Sequence, residues 1–374
     1  MNWSKFIKNL KTQLFIASGV LTMCTACEDS FIYESEGDCS VHYRLIFTYD
    51  MNLKWADAFH NGEAKSVRVY AFDQNNTLVK TYMVDDAEAL MKDNFYIDLD
   101  DLAPGDYHLV SWCGIDNTNV SEQSFSAPET PGMTLDDLTC RLNWKSNEQY
   151  EAYSNTMLQW MFWGEKDITI KDITEMTMEE QIEIAKNYQY FYYTMPLIKD
   201  VNHIRVQLMQ ANNEPIAVDD FDFRIEVRNG VMNYDNALLE SPVINYLPWS
   251  IEPSTWTTAD DTKADGEDEE YTYNGLAVDL TIARMMANQR GQMNLIVTKK
   301  DDNTVSFKIP LIDYALQTLS YFNNAYGKNM TSQEYLDRRD EYELNLILGD
   351  DMRWMDIQLD ILSWRIVHND VELH

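Results

Sequence analysis

The first place in this chain where residue types and spacing could do chemistry is Ala26-Cys27-Glu28-Asp29, a thiol preceded by a small residue and followed by acids. Upstream stand Lys5, Lys8 and Lys11, then an apolar run from Leu14 to Leu21. A basic head, an apolar core too short to span a bilayer and a small residue before the cysteine read as a bacterial lipoprotein leader. The thiol would accept a diacylglycerol and, after cleavage between Ala26 and Cys27, become the mature N-terminus. Ala26-Cys27 suits that processing better than Met23-Cys24, so Cys27 is the expected lipid attachment site. One acyl chain holds a protein only marginally, at about 0.8 kcal/mol per buried CH₂, whereas the two or three chains of a bacterial lipoprotein hold it stably. The expected mature protein is tethered to a membrane, not threaded through it.

Glu28-Asp29-Ser30 follows the cysteine directly. Acids at that place resemble the surface-export signal of Bacteroidia lipoproteins, which would carry the chain to the outer leaflet of the outer membrane. An ordinary solvated tether accounts for three such residues nearly as well.

The remaining candidates for chemistry are weaker. No G-x-S-x-G, H-E-x-x-H, Walker loop or G-x-G-x-x-G occurs, and the 13 glycines are too scattered to cradle a phosphate. Carboxylate pairs are so abundant that choosing two as a glycosidase acid and base would be arbitrary. The acidic run Asp260 to Glu270 lacks the alternating ligands and glycine placement of a calcium loop, and reads as a solvated loop. Catalytic residues, cofactor-binding residues and metal ligands are therefore all expected to be absent. Apart from Cys27, the mature chain has Cys39, Cys113 and Cys140 in a compartment that permits disulfides, and one of these must stay single. Cys113 sits in a strand-like segment and reads as a small buried apolar residue, so no disulfide framework is implied.

Charge limits the partners. The formal net charge is −33, and loss of the leader removes lysines and no acids, so the mature chain is more negative still. Such a balance repels nucleic acid and anionic headgroups, and solubility at a cell surface explains it without a specific basic partner. Aromatic residues, with 10 Trp and 22 Tyr, could line a glycan-binding face. Trp160 and Trp163, three apart, would point to opposite sides of a strand, which favours packing over a sugar platform. Glycan binding stays as the alternative function.

The elements that must position these residues are mostly strands. Val41, Tyr43, Leu45, Phe47 and Tyr49 alternate with polar residues, the period of a half-buried antiparallel strand. Ser66 to Phe72, the turn Asp73-Gln74-Asn75-Asn76 and Thr77 to Val84 predict a hairpin. Phe95, Ile97 and Leu99 alternate toward Leu102, Pro104-Gly105 turns the chain, and Tyr107 to Trp112 returns. Trp160 to Ile170 is a further strand. Thr177 and Glu180 predict a capping box before a short helix. Strands resume at His203 to Met209, Phe221 to Val227, Met293 to Thr298, Thr304 to Ile309, Glu341 to Leu348 and Ile357 to Val367. A short helix is expected around Ala283 to Gln289, and another after Pro310 with Leu311, Ile312, Ala315, Leu316 and Leu319 on one face. With 45% hydrophobic residues in 374, the pattern predicts a mainly β protein of two sandwiches with helical insertions.

Several ordered segments carry a resemblance. They are Cys39 to Asp50, Asn52 with Ala56 to Phe59, Val67 to Asp73, and Leu102-Ala103-Pro104-Gly105-Asp106-Tyr107 running on to Trp112 and Gly114. Later come Asp220 to Phe223, Asn229-Gly230, Tyr234-Asp235-Asn236, Tyr246 with Pro248, Ile309 to Ile312, Tyr335-Leu336-Asp337-Arg338 and Ser363 to Val367. In this order they resemble the FimB-type fimbrial accessory and anchor lipoproteins of Bacteroidia, relatives of the minor-fimbrium anchor. The resemblance implies two transthyretin-like β-sandwich domains in tandem and a non-enzymatic anchor or accessory subunit. It also implies partnership with fimbrial subunits by strand addition and with the outer membrane through a lipid. The expected organisation is a signal peptide over 1–26, a lipidated tether over 27–38, and domains over 39–186 and 187–374. The segment 174–190 and the acidic loop depart from the family pattern.

Overall fold

The computed structural model describes residues 41–374 except 55, 61–62, 116–122, 129–132, 187–189, 260–269, 302, 304, 350–353, 362–363 and 369–374. Ala26, Cys27, the tether, Cys39 and all of the acidic run but Glu270 lie outside the described residues. The chain is mainly β, as the alternation predicts.

The hairpin after residue 66 shows how sequence becomes structure here. Val67–Phe72 is buried along its whole length and pairs antiparallel with Leu78–Val84 on one side and Gly105–Cys113 on the other. A central strand covered on both faces has no polar side to present, so its residues run apolar with little alternation. The turn is held by Asp73, whose Oδ1 accepts the N–H groups of Asn75 at 2.9 Å and Thr77 at 3.0 Å. Asn76 takes the left-handed conformation, φ 57°, which asparagine tolerates better than most residues. The Thr77 and Asn75 N–H groups hold the Asp73 carboxyl below the usual carboxylate range.

Among the described residues the strands form five sheets. One five-stranded sheet runs Ile198–Lys199, Phe162–Ile170, Gly105–Cys113, Val67–Phe72, Leu78–Val84. A six-stranded sheet runs Ser250–Ala259, Glu270–Ala283, Val201–Gln210, Glu341–Leu348, Trp354–Ile361, Trp364–His368. Another five-stranded sheet runs Val305–Pro310, Asn294–Lys299, Phe221–Val227, Ile244–Tyr246, Ala152–Ser154. Three-stranded sheets join Tyr190–Pro196, His42–Thr48 and Ile97–Asp98, and Val231–Asn233, Thr139–Leu142 and Phe125–Ser126. Several pairings reach far along the chain, among them the parallel pairing of Val201–Gln210 with Glu341–Leu348. Thr139–Leu142 pairs antiparallel with Val231–Asn233, and Ala152–Ser154 pairs parallel with Ile244–Tyr246.

Packing divides the described residues into two compact units, one of 41–44 with Asp98–Pro104 and Ile170–Tyr192, the other of the rest. In the smaller, the Tyr43 N–H donates to Asp100 Oδ1 at 2.7 Å and the Tyr43 hydroxyl donates to the Lys171 carbonyl at 2.9 Å. Its helix, Met178–Lys186, starts on the predicted capping box: Thr177 Oγ1 accepts the Glu180 N–H at 3.3 Å and Glu180 Oε2 accepts the Thr177 N–H at 2.8 Å. The larger unit holds a continuous apolar core in which Tyr70 and Trp112 meet edge to face, both fully buried. Trp163 belongs to that core, with Nε1–H donating to the Tyr234 carbonyl at 2.8 Å, and Trp160 packs against it.

Some elements differ from expectation. The helix expected over Ala283 to Gln289 is a single 3₁₀ turn, Ala287–Gln289, because the strand Glu270–Ala283 keeps pairing with Val201 up to Ala283. Ile357 to Val367 is not one strand but two, Trp354–Ile361 and Trp364–His368, paired as a hairpin. The sequence marks the break: Ile357, Leu359 and Ile361 alternate on odd numbers, while Ile366 falls on an even one. Phe95 to Leu102 yields only the two-residue strand Ile97–Asp98. The helix Ser332–Arg338 was not anticipated, although Thr331 and Glu334 have capping-box spacing and Thr331 Oγ1 accepts the Glu334 N–H at 3.1 Å.

Pro104-Gly105 ends the approach to the long strand, and Gly105 opens that strand at φ 157°, a conformation that L side chains rarely adopt. Gly105→Val should therefore destabilise the protein by at least about 1 kcal/mol. A thermal melt of the variant checks this, and an unchanged melting temperature would refute it.

Candidate functional site

A surface that accepts an extended partner strand needs a terminal strand long enough for a ladder of backbone hydrogen bonds, with few charges and no proline. The terminal strands here differ in those respects. Ile198–Lys199 and Ala152–Ser154 are too short to carry a ladder. Ser250–Ala259 is long but interrupted by Pro253, which has no N–H to donate. Val305–Pro310 carries Lys308 and ends in proline. Leu78–Val84 is proline-free and its one charged residue is Lys80, whose ammonium lies 5.7 Å from the Tyr82 ring centre. Val79 is 48% exposed and Met83 49%, on the same side of the pleat.

This edge strand is set on rigid neighbours. It rests on the buried Val67–Phe72, paired from Phe72 opposite Leu78 to Val67 opposite Val84 with a one-residue register shift at Val79 beside the turn. Its beginning is strapped by backbone bonds, with Leu78 N–H donating to Met133 O at 2.9 Å and Leu135 N–H to Asn76 O at 2.8 Å. Its far end runs into Asp85-Asp86, where Asp86 caps a short helix, Ala87–Leu90. Sequence reasoning found this strand but not its place at the end of a sheet.

A second arrangement went unforeseen: a buried polar knot in the larger unit. Arg284 lies at its centre. Nη2 donates to Asp337 Oδ1 at 2.9 Å and Oδ2 at 3.1 Å, Nη1 donates to the Asn236 carbonyl at 2.6 Å, and Nε donates to Asp337 Oδ1 at 3.2 Å while standing 3.7 Å from Asp200 Oδ1. Asn236 Nδ2 donates to Asp200 Oδ1 at 2.9 Å. Asn229 Nδ2 donates to the carbonyls of Ala283 at 3.0 Å and Arg284 at 3.1 Å, and its Oδ1 accepts the Tyr246 hydroxyl at 2.8 Å. Asn229, Tyr234-Asp235-Asn236, Tyr246 and Tyr335 to Arg338 are motif pieces scattered along the sequence. The fold gathers Asn229, Asn236, Tyr246 and Asp337 around one strand end. Asp200 is fully buried, and desolvation pushes its carboxyl up to about 7 against the opposing pull of Arg284 and the Asn236 hydrogen bond. Nearby, Lys199 Nζ donates to Asp340 Oδ2 at 2.8 Å and Glu63 Oε2 at 2.9 Å beneath the Trp160 ring. Such knots hold a fold in register; they present nothing to a substrate.

The other sequence candidates separate cleanly. Cys113 and Cys140 are buried free thiols, and burial pushes Cys113 up to about 12, so it has no thiolate to act as a nucleophile. Among the described residues no three His, Cys, Asp or Glu side chains are placed to hold a metal ion. No described helix is long and apolar enough to cross a membrane.

Comparison with known proteins agrees with this picture of a β-rich scaffold. Residues 35–370 match the family model of fimbrillin-A associated anchor proteins Mfa1 and Mfa2. The chain is similar to the crystal structure of a candidate adhesin from Bacteroides thetaiotaomicron, with 26% identity and TM-score 0.69 over 90% of this chain and 100% of that one. It is also similar to a candidate polysaccharide-binding protein of the same organism, with 25% identity and TM-score 0.66 over 89% and 99% of the two chains. The fimbrial anchor protein Mfa2 from Porphyromonas gingivalis shares the fold, at 16% identity and TM-score 0.58 over 88% and 99%. No curated protein matches the sequence. With nearly its whole length matched, the chain belongs to the family of fimbrillin-A associated anchor proteins Mfa1 and Mfa2.

Proposed function

We propose that this protein is a non-enzymatic anchor or accessory subunit of a fimbrium, held on the outer membrane by lipid on Cys27 and joined to a fimbrial subunit by strand pairing. The family match carries the reading, and it begins at residue 35, just past the lipobox at Ala26-Cys27. The two features divide the task. Acyl chains fix one end of a mechanical path, and a sheet edge fixes the other. Fully extended, the stretch from Cys27 to Val41 reaches at most about 50 Å, so the first strand stays near the membrane that holds the lipid. The division into sandwich domains over 39–186 and 187–374 is part of the same reading.

For the subunit contact we take the Leu78–Val84 edge, on the strength of its terminal place, its lack of proline and its two half-exposed apolar side chains. Replacing Val79 and Met83 together by lysine places charge beside the ladder while leaving the core alone. The expected result is loss of co-isolation with sheared fimbriae and a stability change within about 0.5 kcal/mol, since both side chains are at the surface. Co-isolation at the wild-type level would exclude this edge, leaving Ser250–Ala259 and Trp364–His368 as the edges to vary next.

A further inference from the structure

Beyond anchoring, we propose that the open cleft between the Asp73–Asn76 turn and the strands Gly105–Cys113 and Phe162–Ile170 binds a glycan, through hydroxyl groups of one or two sugar rings. The cleft has a volume of about 380 Å³ and lies wholly within the larger compact unit. That volume is at the lower end for small-molecule sites, which suits a short saccharide segment.

Its polar groups are held in place before any ligand arrives. Asp106 accepts from Thr169 Oγ1 at 2.6 Å through Oδ1 and from Gln74 Nε2 at 3.0 Å through Oδ2. Thr169 is fixed in turn by Tyr193, whose hydroxyl donates to the Thr169 carbonyl and accepts the Thr169 N–H at 3.2 Å. Each Asp106 oxygen keeps a further lone pair, and the Gln74 and Asn76 amides bring both donors and acceptors to the same wall. Planar side chains that accept and donate side by side match the vicinal hydroxyls of a sugar. Tyr107 and Tyr193 add aromatic rings, which suit the C–H faces of pyranoses.

The same lining argues against other ligands. Asp73, Asp106 and Asp167 repel anions, and His108, the cleft's one basic residue, has Asp167 Oδ1 at 2.7 Å from its Nδ1. Among the described residues no trio of carboxylate or imidazole groups is spaced for a metal ion. A cationic peptide is the remaining competitor, and salt separates it from a sugar: attraction to the carboxylates would fade as ionic strength rises, whereas hydroxyl hydrogen bonds would not.

The test uses the full mature chain on an array of microbial, plant and mucin glycans, at 0.1 M and again at about 0.5 M salt, where screening shortens the Debye length well below 10 Å. We expect binding to a defined group of glycans, little changed by salt. Asp106→Asn should weaken it at least tenfold. Asn76→Gly, which keeps the left-handed turn while removing the amide, should weaken it several-fold, and both variants should melt with the wild type. Absence of any glycan hit overturns the proposal. So does binding untouched by both variants, or binding lost in salt and reproduced by a lysine-rich peptide. Anchoring is read in a separate assay, so either claim can fail alone.

Discussion

Gly114→Ala is expected to prevent folding or to lower stability by more than about 4 kcal/mol, because among six of the described glycines its added Cβ would meet the nearest backbone atom. Gly114 follows the strand Gly105–Cys113, donates its N–H to the Ser66 carbonyl at 2.8 Å and sits at φ 99°. A Cβ there would stand 2.0 Å from the Trp160 carbonyl oxygen and 3.3 Å from the Met161 Cα, so the obstruction is backbone that cannot swing aside. Conformational strain of about 1 kcal/mol adds to the collision. Gly291→Ala is the control: φ is 72°, but nothing lies within 4 Å of the new atom. It should cost only the strain. Denaturant melts of the two variants decide the matter, and equal losses would show that the close approach of residues 114 and 160 is wrong.

The second large effect concerns the buried knot, where two substitutions should act with opposite signs. Arg284→Met removes the cation that faces Asp337 and Asp200 and leaves the Asp337 carboxylate buried without its partner. Breaking a buried pair in this way costs about 3–5 kcal/mol. Asp200→Asn keeps the steric fit and leaves Arg284 its three bonds to Asp337. The sign follows from the proton. Burial raises the folded-state value of Asp200 to about 7, above the roughly 3.9 of an unfolded aspartate, so the folded state holds a proton that the unfolded chain releases. That contribution to stability is full below about pH 4 and is lost as pH rises through 7. The loss in the wild type approaches about 1.4 kcal/mol per pH unit between those limits. Asp200→Asn should flatten this slope, so that the variant gains on the wild type at pH 8. Urea melts at pH 5 and pH 8 give the comparison. Parallel losses for wild type and variant would mean that Asp200 is ionised throughout.

Which parts of this structure could be read in advance follows from how local their causes are. The alternation of Tyr43, Leu45, Phe47 and Tyr49, the Asp73 turn and the Thr177–Glu180 box are encoded within a few residues. The helix after Pro310 was legible in part: Leu311–Gln317 buries Leu311, Ile312 and Ala315, but Leu316 is half-buried and Leu319 opens a second helix, Leu319–Tyr326. Long-range pairing is not encoded that way. Nothing within Ala152–Ser154 specifies a parallel partner at Ile244–Tyr246, because the signal is the fit of two distant surfaces. The same holds for the knot. Asn229, Asn236 and Asp337 are ordinary turn and helix residues until the fold brings them to Arg284. The motif pieces that marked the family thus acquire a physical reason, as partners of one buried guanidinium and one strand end. Terminal position in a sheet is likewise a property of the assembled whole, which is why the edge at Leu78–Val84 could not be picked from its sequence.

The anchor reading stands or falls on where the fimbriae go when the lipid is removed. Fimbrial subunit should be measured in cells and in culture supernatant for the wild type, a deletion of this gene and Cys27→Ala, with a fatty-acid label to follow acylation. The account predicts that Cys27→Ala carries no label and sheds fimbriae with this protein still attached. In the deletion it predicts fimbriae that are shed without the protein or altered in length. Label that survives on Cys24 would move the cleavage site, and identical partitioning and fimbrial length in all three strains would contradict the anchor.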